Sequence, residues 1–171
     1  MPHRSAGLLV HRLGPDRTLQ VLLVHPGGPF WARRDLGAWS IPKGEHTEEE
    51  NALAAARREF AEELGTDPPD GAVLSLGEVR QRGGKLVTAW ALGGDVDTTS
   101  VVCNTVEMEW PRGSGRRITF PEIDRAEWFT IATARARILE AQRHFLDRLV
   151  ERLGDSSDQE AIADAPPSGL H

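Results

Sequence analysis

Hydrophobic and polar residues alternate in short blocks along this chain, and the blocks predict its strands. Strands are expected where runs rich in valine and leucine are bounded by turn residues such as glycine, proline and aspartate. Six segments fit this description: 5–11, 19–25, 38–42, 73–82, 85–94 and 100–110. Because Gly83 and Gly84 separate the fourth segment from the fifth, these two segments are predicted to form a hairpin.

The clearest helix is predicted between Thr47 and Gly65. Thr47 and Glu50 have the Thr-x-x-Glu spacing of a capping box, and Gly65 occupies the position of a C-terminal cap. The residues between them are mostly good helix formers, and the two prolines that follow prevent the helix from continuing. At about 100° per residue, one stripe of this helix is expected to face the core. The stripe consists of Leu53, Phe60 and Leu64.

A second helix is predicted over about 131–153, where apolar residues recur at helical spacing. These residues are Ile138, Phe145, Leu146, Leu149 and Leu153. The last segment, 154–171, is acidic, contains proline and serine, and has few large apolar residues, which favours mobility. We therefore expect one domain over 1–153, followed by a mobile tail over 154–171.

Composition supports a soluble globular protein. The chain has 171 residues, of which 39% are hydrophobic and 27% charged, and this length is enough for one domain with its own core. The formal net charge is −6, so attraction to a nucleic acid backbone is not expected to be its main role. An anionic substrate would therefore need a local cation or a bound metal ion.

The cysteine count and the N-terminus indicate the compartment. Cys103 is the sole cysteine, which excludes an internal disulfide and a zinc site built from several cysteines. The apolar run before His11 is too short for the core of a signal peptide or for a membrane span. We therefore predict a cytoplasmic protein with no membrane partner.

Three acids on the first helix carry the candidate chemistry. Glu59, Glu62 and Glu63 are neighbours in space, on roughly the opposite side of the helix from its core stripe. Clusters of Glu and Arg are usually solvated faces with weak ion pairs, and that is the alternative explanation. Like charges at these spacings repel, however, so the cluster destabilises the helix unless cations offset it.

The spacing back to two earlier residues decides between these explanations. Gly44 is followed by five residues and Glu50, then by seven residues and Arg58, giving G-x5-E-x7-R-E-U-x-E-E-x-G, where U is the apolar Phe60. This pattern ends at Gly65 and resembles the signature of the Nudix (MutT-like) hydrolases. The family pattern ends with one more apolar residue, where this chain has Thr66, a departure that lies beyond the acids.

The resemblance implies a fold and a metal site. The expected fold is an α/β/α sandwich with a mixed β-sheet between helices. The resemblance implies Mg²⁺, with Mn²⁺ as an alternative, held by Glu59, Glu62, Glu63 and the backbone carbonyl of Lys43. Carboxylate and carbonyl oxygens are the ligands that such hard ions prefer. Gly44, Glu50 and Gly65 are then the structural positions of the signature.

The resemblance also implies a general base and helpers for it. The base is either Glu59 or an acid outside the signature, for which the candidates are Glu107, Glu109 and Glu122. Arg58 stands one residue before Glu59 and is expected to orient that carboxylate by charge-assisted hydrogen bonds. Arg58, Glu59 and Glu62 are thus the predicted catalytic residues.

Residues near the signature are candidates for binding the substrate. Lys43 is predicted to contact a phosphate, and Trp39 and Trp31 are predicted to stack on a base. For each tryptophan, packing in the core is the alternative. His25 and His46 are expected to be neutral surface residues.

The predicted function is Mg²⁺-dependent cleavage of a phosphoanhydride in a nucleoside diphosphate linked to another group. One alternative is a diadenosine polyphosphate hydrolase, since the W-x-x-P-K-G run at 39–44 resembles those enzymes although the chain has no tyrosine. An alternative of another class is a non-catalytic nucleotide-binding sensor domain. The expected partner is a small-molecule nucleotide rather than a nucleic acid, and a homodimer is compatible with the resemblance.

Overall fold

Six strands are joined by hydrogen bonds into one mixed sheet, and two more form a separate hairpin. The computed structural model describes residues 3–163, and their side chains as far as Gly154. The strands are β1 (Arg4–Leu13), β2 (Leu19–Pro26), β3 (Lys43–Glu45), β4 (Val73–Arg80), β5 (Leu86–Gly93), β6 (Thr105–Glu109), β7 (Arg117–Pro121) and β8 (Ile123–Thr130). The helices are α1 (Ala52–Leu64), α2 (Ile131–Arg137) and α3 (Arg143–Ala163).

Strand β1 is the centre of the sheet. The strand order is β4-β5-β1-β2-β8, and β3 pairs with the first residues of β1. Strands β1 and β5 are parallel, whereas β1 is antiparallel to β2 and β3. Strands β2 and β8 are antiparallel, as are β4 and β5, which form the predicted hairpin around Gly83 and Gly84. Within residues 3–163, strands β6 and β7 pair only with each other.

Both faces of the central sheet are covered, which confirms the predicted α/β/α sandwich. Successive residues of a strand point to opposite faces, and β1 is buried on both. Leu8 and Val10 pack with Phe60 and Leu64 of α1, while Leu9 belongs to a second core formed with α2 and α3. An interior strand covered by helices on both faces explains why 5–11 is a nearly unbroken apolar run.

The first helix begins later than the capping box predicted. Its N-cap is Asn51, whose side-chain oxygen accepts a hydrogen bond from the Ala54 N–H at 2.9 Å. Thr47 instead accepts the Glu50 N–H through its backbone carbonyl at 3.3 Å, in a turn that precedes the helix. The C-terminal cap is confirmed, because Gly65 has a φ of 70° and donates its N–H to Ala61.

The second predicted helix is broken in two. Helix α2 ends at Arg137, and Ile138 adopts an extended backbone that forms a β-bridge with Trp39. A short 3-10 turn at Glu140–Gln142 precedes α3, and the buried Gln142 accepts the Ile41 N–H at 3.0 Å. This tertiary bond holds the chain out of a continuous helix, a contact that helical periodicity does not reveal.

Two strand predictions were also inaccurate. Segment 38–42 contributes only isolated bridges at Trp39 and Ser40, and the strand forms just after it, as β3. Segment 100–110 forms a strand only from Thr105 onward. The mobile tail over 154–171 stays a prediction, since the α3 backbone continues to Ala163 and 164–171 lie outside the described residues. No helix within 3–163 is long and apolar enough to cross a membrane.

Candidate active site

Two of the signature's acids lie directly against strand β3. The Glu59 carboxylate covers Gly44 so closely that a Cβ added to Gly44 would stand 2.0 Å from the carboxylate carbon. Glu63 Oε2 accepts the backbone N–H of Lys43 at 3.2 Å. The glycine of the signature is therefore needed for space, since any side chain at this position would displace the Glu59 carboxylate.

The guanidinium of Arg58 forms hydrogen bonds with three carboxylates. Its Nη1 donates to Glu59 Oε1 at 2.8 Å and lies 3.5 Å from both oxygens of Glu62. Its Nε and Nη2 donate to Glu50 Oε1 at 3.1 and 3.0 Å. The contact expected between Arg58 and Glu59 is present. Glu50 anchors the guanidinium rather than capping the helix.

Glu63 occupies a different environment from the one predicted. Its exposed fraction is 8%, whereas 46% of the Glu62 side chain is exposed, so the three acids do not share one solvated face. Glu63 directly precedes the core residue Leu64 and faces the edge of the sheet. Burial raises the pKa of Glu63 to about 8; the charge of Lys43 opposes this shift and the charge of Glu122 adds to it.

Burial also disfavours the charged forms of the neighbouring Glu59 and Lys43 side chains. Burial raises the pKa of Glu59, and repulsion from Glu62 and Glu122 adds to this, although hydrogen bonding to Arg58 opposes it. Burial lowers the pKa of the half-buried Lys43, and the charge of Lys85 lowers it further. Carboxylates that lie close together and are partly buried are stabilised by protons or by bound cations.

A cleft of about 230 Å³ opens beside these groups. Lys43, Glu63 and Glu122 line its polar wall, and the indole of Trp31 forms part of its apolar wall. Trp31 is half-buried, so part of this residue is accessible to solvent. A lining that combines an aromatic residue with charged residues is suited to a ligand with a flat apolar part and an anionic part.

Among the three acids outside the signature, only Glu122 lies in this cleft. Glu107 Oε1 accepts from Arg117 Nε at 2.6 Å, and Glu109 Oε1 accepts the Gly115 N–H at 2.7 Å, both within the β6–β7 hairpin. In the described part of the chain, no hydrogen bond or ion pair is formed by the Glu122 carboxylate. The sequence offered no signal to separate these three, because the choice depends on where the chain turns into β8.

Two aromatic predictions are corrected by burial. Trp39 has no exposed surface, donates its Nε1–H to Asp35 at 2.8 Å and packs edge-on against Phe129, so its ring is not available to a ligand. His25 is also fully buried rather than on the surface. His46 is half-buried, with Nδ1 2.9 Å from the Thr47 carbonyl oxygen.

The donor atoms of these residues suit a hard divalent cation, but the side chains are not already arranged around a metal position. Within 3–163, no three His, Cys, Asp or Glu side chains already converge as a metal-ligand set. The available donors are all oxygens, from Glu59, Glu62, Glu63 and the Lys43 carbonyl, as Mg²⁺ and Mn²⁺ prefer. The burial of Glu59 and Glu63 beside other carboxylates, which raises the pKa of both groups, favours a cation there.

Comparisons with known proteins agree with the fold and with the family resemblance of the sequence. The family model described as NUDIX domain matches residues 1–149. A comparison with curated proteins found no match. A solved structure of a C. elegans Ap4A hydrolase in a binary complex is 19% identical, with 90% of this chain and 98% of that chain aligned and a TM-score of 0.63.

Two further solved structures have a similar fold. The NUDIX domain of Shewanella oneidensis NrtR, complexed with ADP ribose, is 17% identical, with 90% of this chain and 89% of that chain aligned and a TM-score of 0.61. A mutT/nudix family protein from Listeria innocua is 17% identical, with 92% and 98% aligned and a TM-score of 0.61. At these identities the likeness is one of fold.

Proposed function

The chain belongs to the Nudix family of pyrophosphohydrolases, and from this premise we propose that it uses Mg²⁺ to cleave a phosphoanhydride in a nucleoside diphosphate linked to another group. One observation carries the proposal. Two acids with raised pKa values, Glu59 and Glu63, lie against Lys43–Gly44 beside a cleft that has an aromatic wall. Such a site puts acids that can bind a cation next to a cleft that can bind a nucleotide.

The proposed metal ligands are Glu59, Glu62, Glu63 and the carbonyl of Lys43. When bound, the ion supplies charge neutralisation of the phosphates and polarises phosphorus. Arg58 keeps Glu59 and Glu62 oriented, because it donates to both and is itself anchored by Glu50. The Lys43 side chain stands at the cleft, where it is placed to meet a phosphate oxygen.

Glu122 is the proton acceptor that we assign to the attacking water. Its carboxylate lines the cleft and is not engaged by any hydrogen bond among the described residues, whereas Glu59 is tied to Arg58. A base must be free to approach the water whose proton it takes. The signature acid Glu59 remains the alternative, and the pH–rate profiles of Glu122→Gln and Glu59→Gln distinguish the two assignments.

The cleft and two relatives support the proposed substrate class. Trp31 provides a face for a nucleobase, and Lys43 and the metal site provide for phosphates. The structural relatives include an Ap4A hydrolase and a domain complexed with ADP ribose, and Ap4A and ADP ribose each join adenosine through phosphates to a second group. Diadenosine polyphosphates are therefore a second candidate, although the buried Trp39 means that the W-x-x-P-K-G run does not argue for them.

The decisive experiment measures turnover against metal concentration. Hydrolysis of ADP-ribose and of diadenosine tetraphosphate is followed while Mg²⁺ is varied, with wild type, Glu63→Gln and Glu107→Gln. We expect Mg²⁺-dependent turnover of one probe that Glu63→Gln lowers by at least about a hundredfold and that Glu107→Gln retains. Binding of a probe without turnover at any Mg²⁺ concentration would instead support a sensor domain.

The remaining expectations concern partners and compartment. We propose a small-molecule partner rather than a nucleic acid, consistent with a net charge of −6, and a cytoplasmic location, where nucleotides of this class occur.

A further inference from the structure

A buried histidine joins the two walls of the cleft. His25 has no exposed surface, lies at the end of β2 and uses both ring nitrogens. Nδ1 is 2.8 Å from Asp124 Oδ1, and Nε2 is 2.6 Å from the Arg34 carbonyl oxygen. Asp124 is 99 positions away along the chain, so this single side chain links two distant segments.

The partners determine which nitrogen carries a hydrogen. A carbonyl oxygen can only accept, so Nε2 must donate its hydrogen to Arg34. Nδ1 then faces the Asp124 carboxylate, and the short distance indicates a hydrogen bond between imidazole and carboxylate. A buried side chain held at both ends in this way has a fixed position and orientation.

Asp124 stands at an irregularity of the sheet. His25 pairs with Arg125 and Pro26 pairs with Ile123, so Asp124 is an extra residue with no partner on β2. Such β-bulges bend a strand and re-aim side chains, and they often lie beside active sites. Here the bulge turns Asp124 towards His25, two residues after the cleft acid Glu122.

The hydrogen bond between Nε2 of His25 and Arg34 holds the loop that carries Trp31. The Arg34 N–H donates to the Trp31 carbonyl at 2.9 Å, closing the turn that carries Trp31. The Arg34 guanidinium lies 4.2 Å from the centre of the Phe30 ring. This loop also touches the acid wall, because the Gly27 N–H donates to the Glu122 carbonyl at 2.9 Å.

We propose that His25 and Asp124 are positioning residues that set the separation of Trp31 from Glu122 across the cleft. Neither residue lines the cleft; they act through the turn at Trp31 and the bulge at Asp124 in β8. The inference rests on the proposed function insofar as the cleft binds the nucleotide. It adds the pair His25 and Asp124, which determines how well the nucleobase at Trp31 and the water at Glu122 are aligned.

The first test reads the loop itself and requires no turnover. Arg33 and Arg34 are exposed in the loop, so trypsin cleavage after them reports how often the loop opens. His25→Phe keeps the ring but loses both hydrogen bonds, and we expect cleavage there to be at least about tenfold faster. Leu149→Val, at a buried position of α3, is the control for a loss of stability elsewhere.

The second test is kinetic and uses a conservative variant. Asp124→Asn keeps a side chain of the same shape that can still form a hydrogen bond with Nδ1 of His25, so it should keep kcat/KM within about threefold. His25→Phe should lower kcat/KM for ADP-ribose or diadenosine tetraphosphate by roughly ten- to a hundredfold, with KM raised as well as kcat lowered. Leu149→Val should leave KM unchanged.

Each outcome decides one question. Slow loop cleavage and wild-type kinetics in a folded His25→Phe variant would overturn the positioning role while leaving the proposed function intact. Fast loop cleavage in Leu149→Val as well would also overturn it, by reducing the effect to general stability. If the wild type hydrolyses neither probe, the proposed function fails, and trypsin cleavage still decides whether His25 holds the loop.

Discussion

Glu63 is the residue whose environment departs most from what its neighbours in sequence suggest. It lies in a run of charged residues, yet it is almost fully buried, and burial raises its pKa to about 8. An unfolded glutamate titrates near 4.5. The folded, metal-free protein therefore holds a proton on Glu63 that the unfolded chain has lost between these two values.

The sign of the stability effect follows from this raised pKa. The contribution of Glu63 is fully present below about pH 4.5 and is lost as the pH rises through about 8. We expect metal-free Glu63→Gln to melt above the wild type at pH 8, with the difference narrowing towards pH 5. Thermal denaturation in chelator across this range provides the measurement. A difference that does not change with pH would contradict the assignment.

Metal binding should show the opposite dependence on pH. Since Mg²⁺ binds the ionised carboxylate, binding must release the proton from Glu63, and Mg²⁺ affinity should rise by up to about tenfold per pH unit towards pH 8. Calorimetry in two buffers of different ionisation enthalpy counts the released proton. Glu107→Gln should behave as the wild type. A flat affinity between pH 6 and 8 would count against Glu63 as a ligand.

Gly44 is a test of space at a single position. In Gly44→Ala, the new Cβ meets the Glu59 carboxylate, which must swing away. Because that carboxylate ends a flexible side chain, activity should fall by at least about tenfold while the melting temperature changes little. Gly154→Ala, which meets nothing within 4 Å, is the matched control and should keep full activity. Full activity in Gly44→Ala would remove Glu59 from the site.

At the scale of elements, α1 depends on a different cap from the one its sequence suggested. Thr-x-x-Glu is a good signal for a helix start, but here Glu50 is drawn to Arg58 and the side chain of Asn51 caps the helix. Local patterns rank such alternatives poorly, since neighbouring polar residues compete for the same N–H groups.

The two caps can be compared directly. Asn51→Ala should lower the free energy of unfolding by about 1 kcal/mol, because it leaves the Ala54 N–H without its partner. Thr47→Ala should be nearly neutral, because the structure uses only the backbone carbonyl of Thr47. Urea denaturation of both variants measures the difference. Equal losses would indicate that the helix starts at the earlier residue.

The second helical segment shows the same limit of local patterns. Its apolar spacing is helical throughout, and both Ile138 and Phe145 are buried as predicted. The break at Ile138 comes from pairing with Trp39, and Gln142 is bound to Ile41. Both partners are about a hundred residues earlier, beyond the range of any local signal.

At the scale of the whole molecule, the site sits where α1, β3 and the start of β8 meet at the central sheet. Mg²⁺ bound there would connect α1 to β3, so it should stabilise the entire fold. At a hundred times the Kd, binding to the native state alone adds about 2.7 kcal/mol. Melting temperatures with MgCl₂ and with NaCl at equal ionic strength check this. Equal shifts in the two salts, or an undiminished shift in Glu63→Gln, would contradict a specific site.

The sequence by itself determined the family, the layers of the fold and the acids of α1. The layers of the fold are implied by the family resemblance, whereas the signature and the acids depend on spacing within one segment, where covalent geometry brings residues i, i+3 and i+4 together. That is why the contact between Arg58 and Glu59 and the cap at Gly65 could be predicted.

Only the tertiary structure decided which outside acid enters the cleft, which tryptophan faces it and where the buried histidine lies. Glu122, Trp31 and His25 reach their places through the packing of segments far apart in the chain, and through the bulge at Asp124. A single sequence carries the identity of such residues but not their distances, because those distances are set by the way the whole sheet closes.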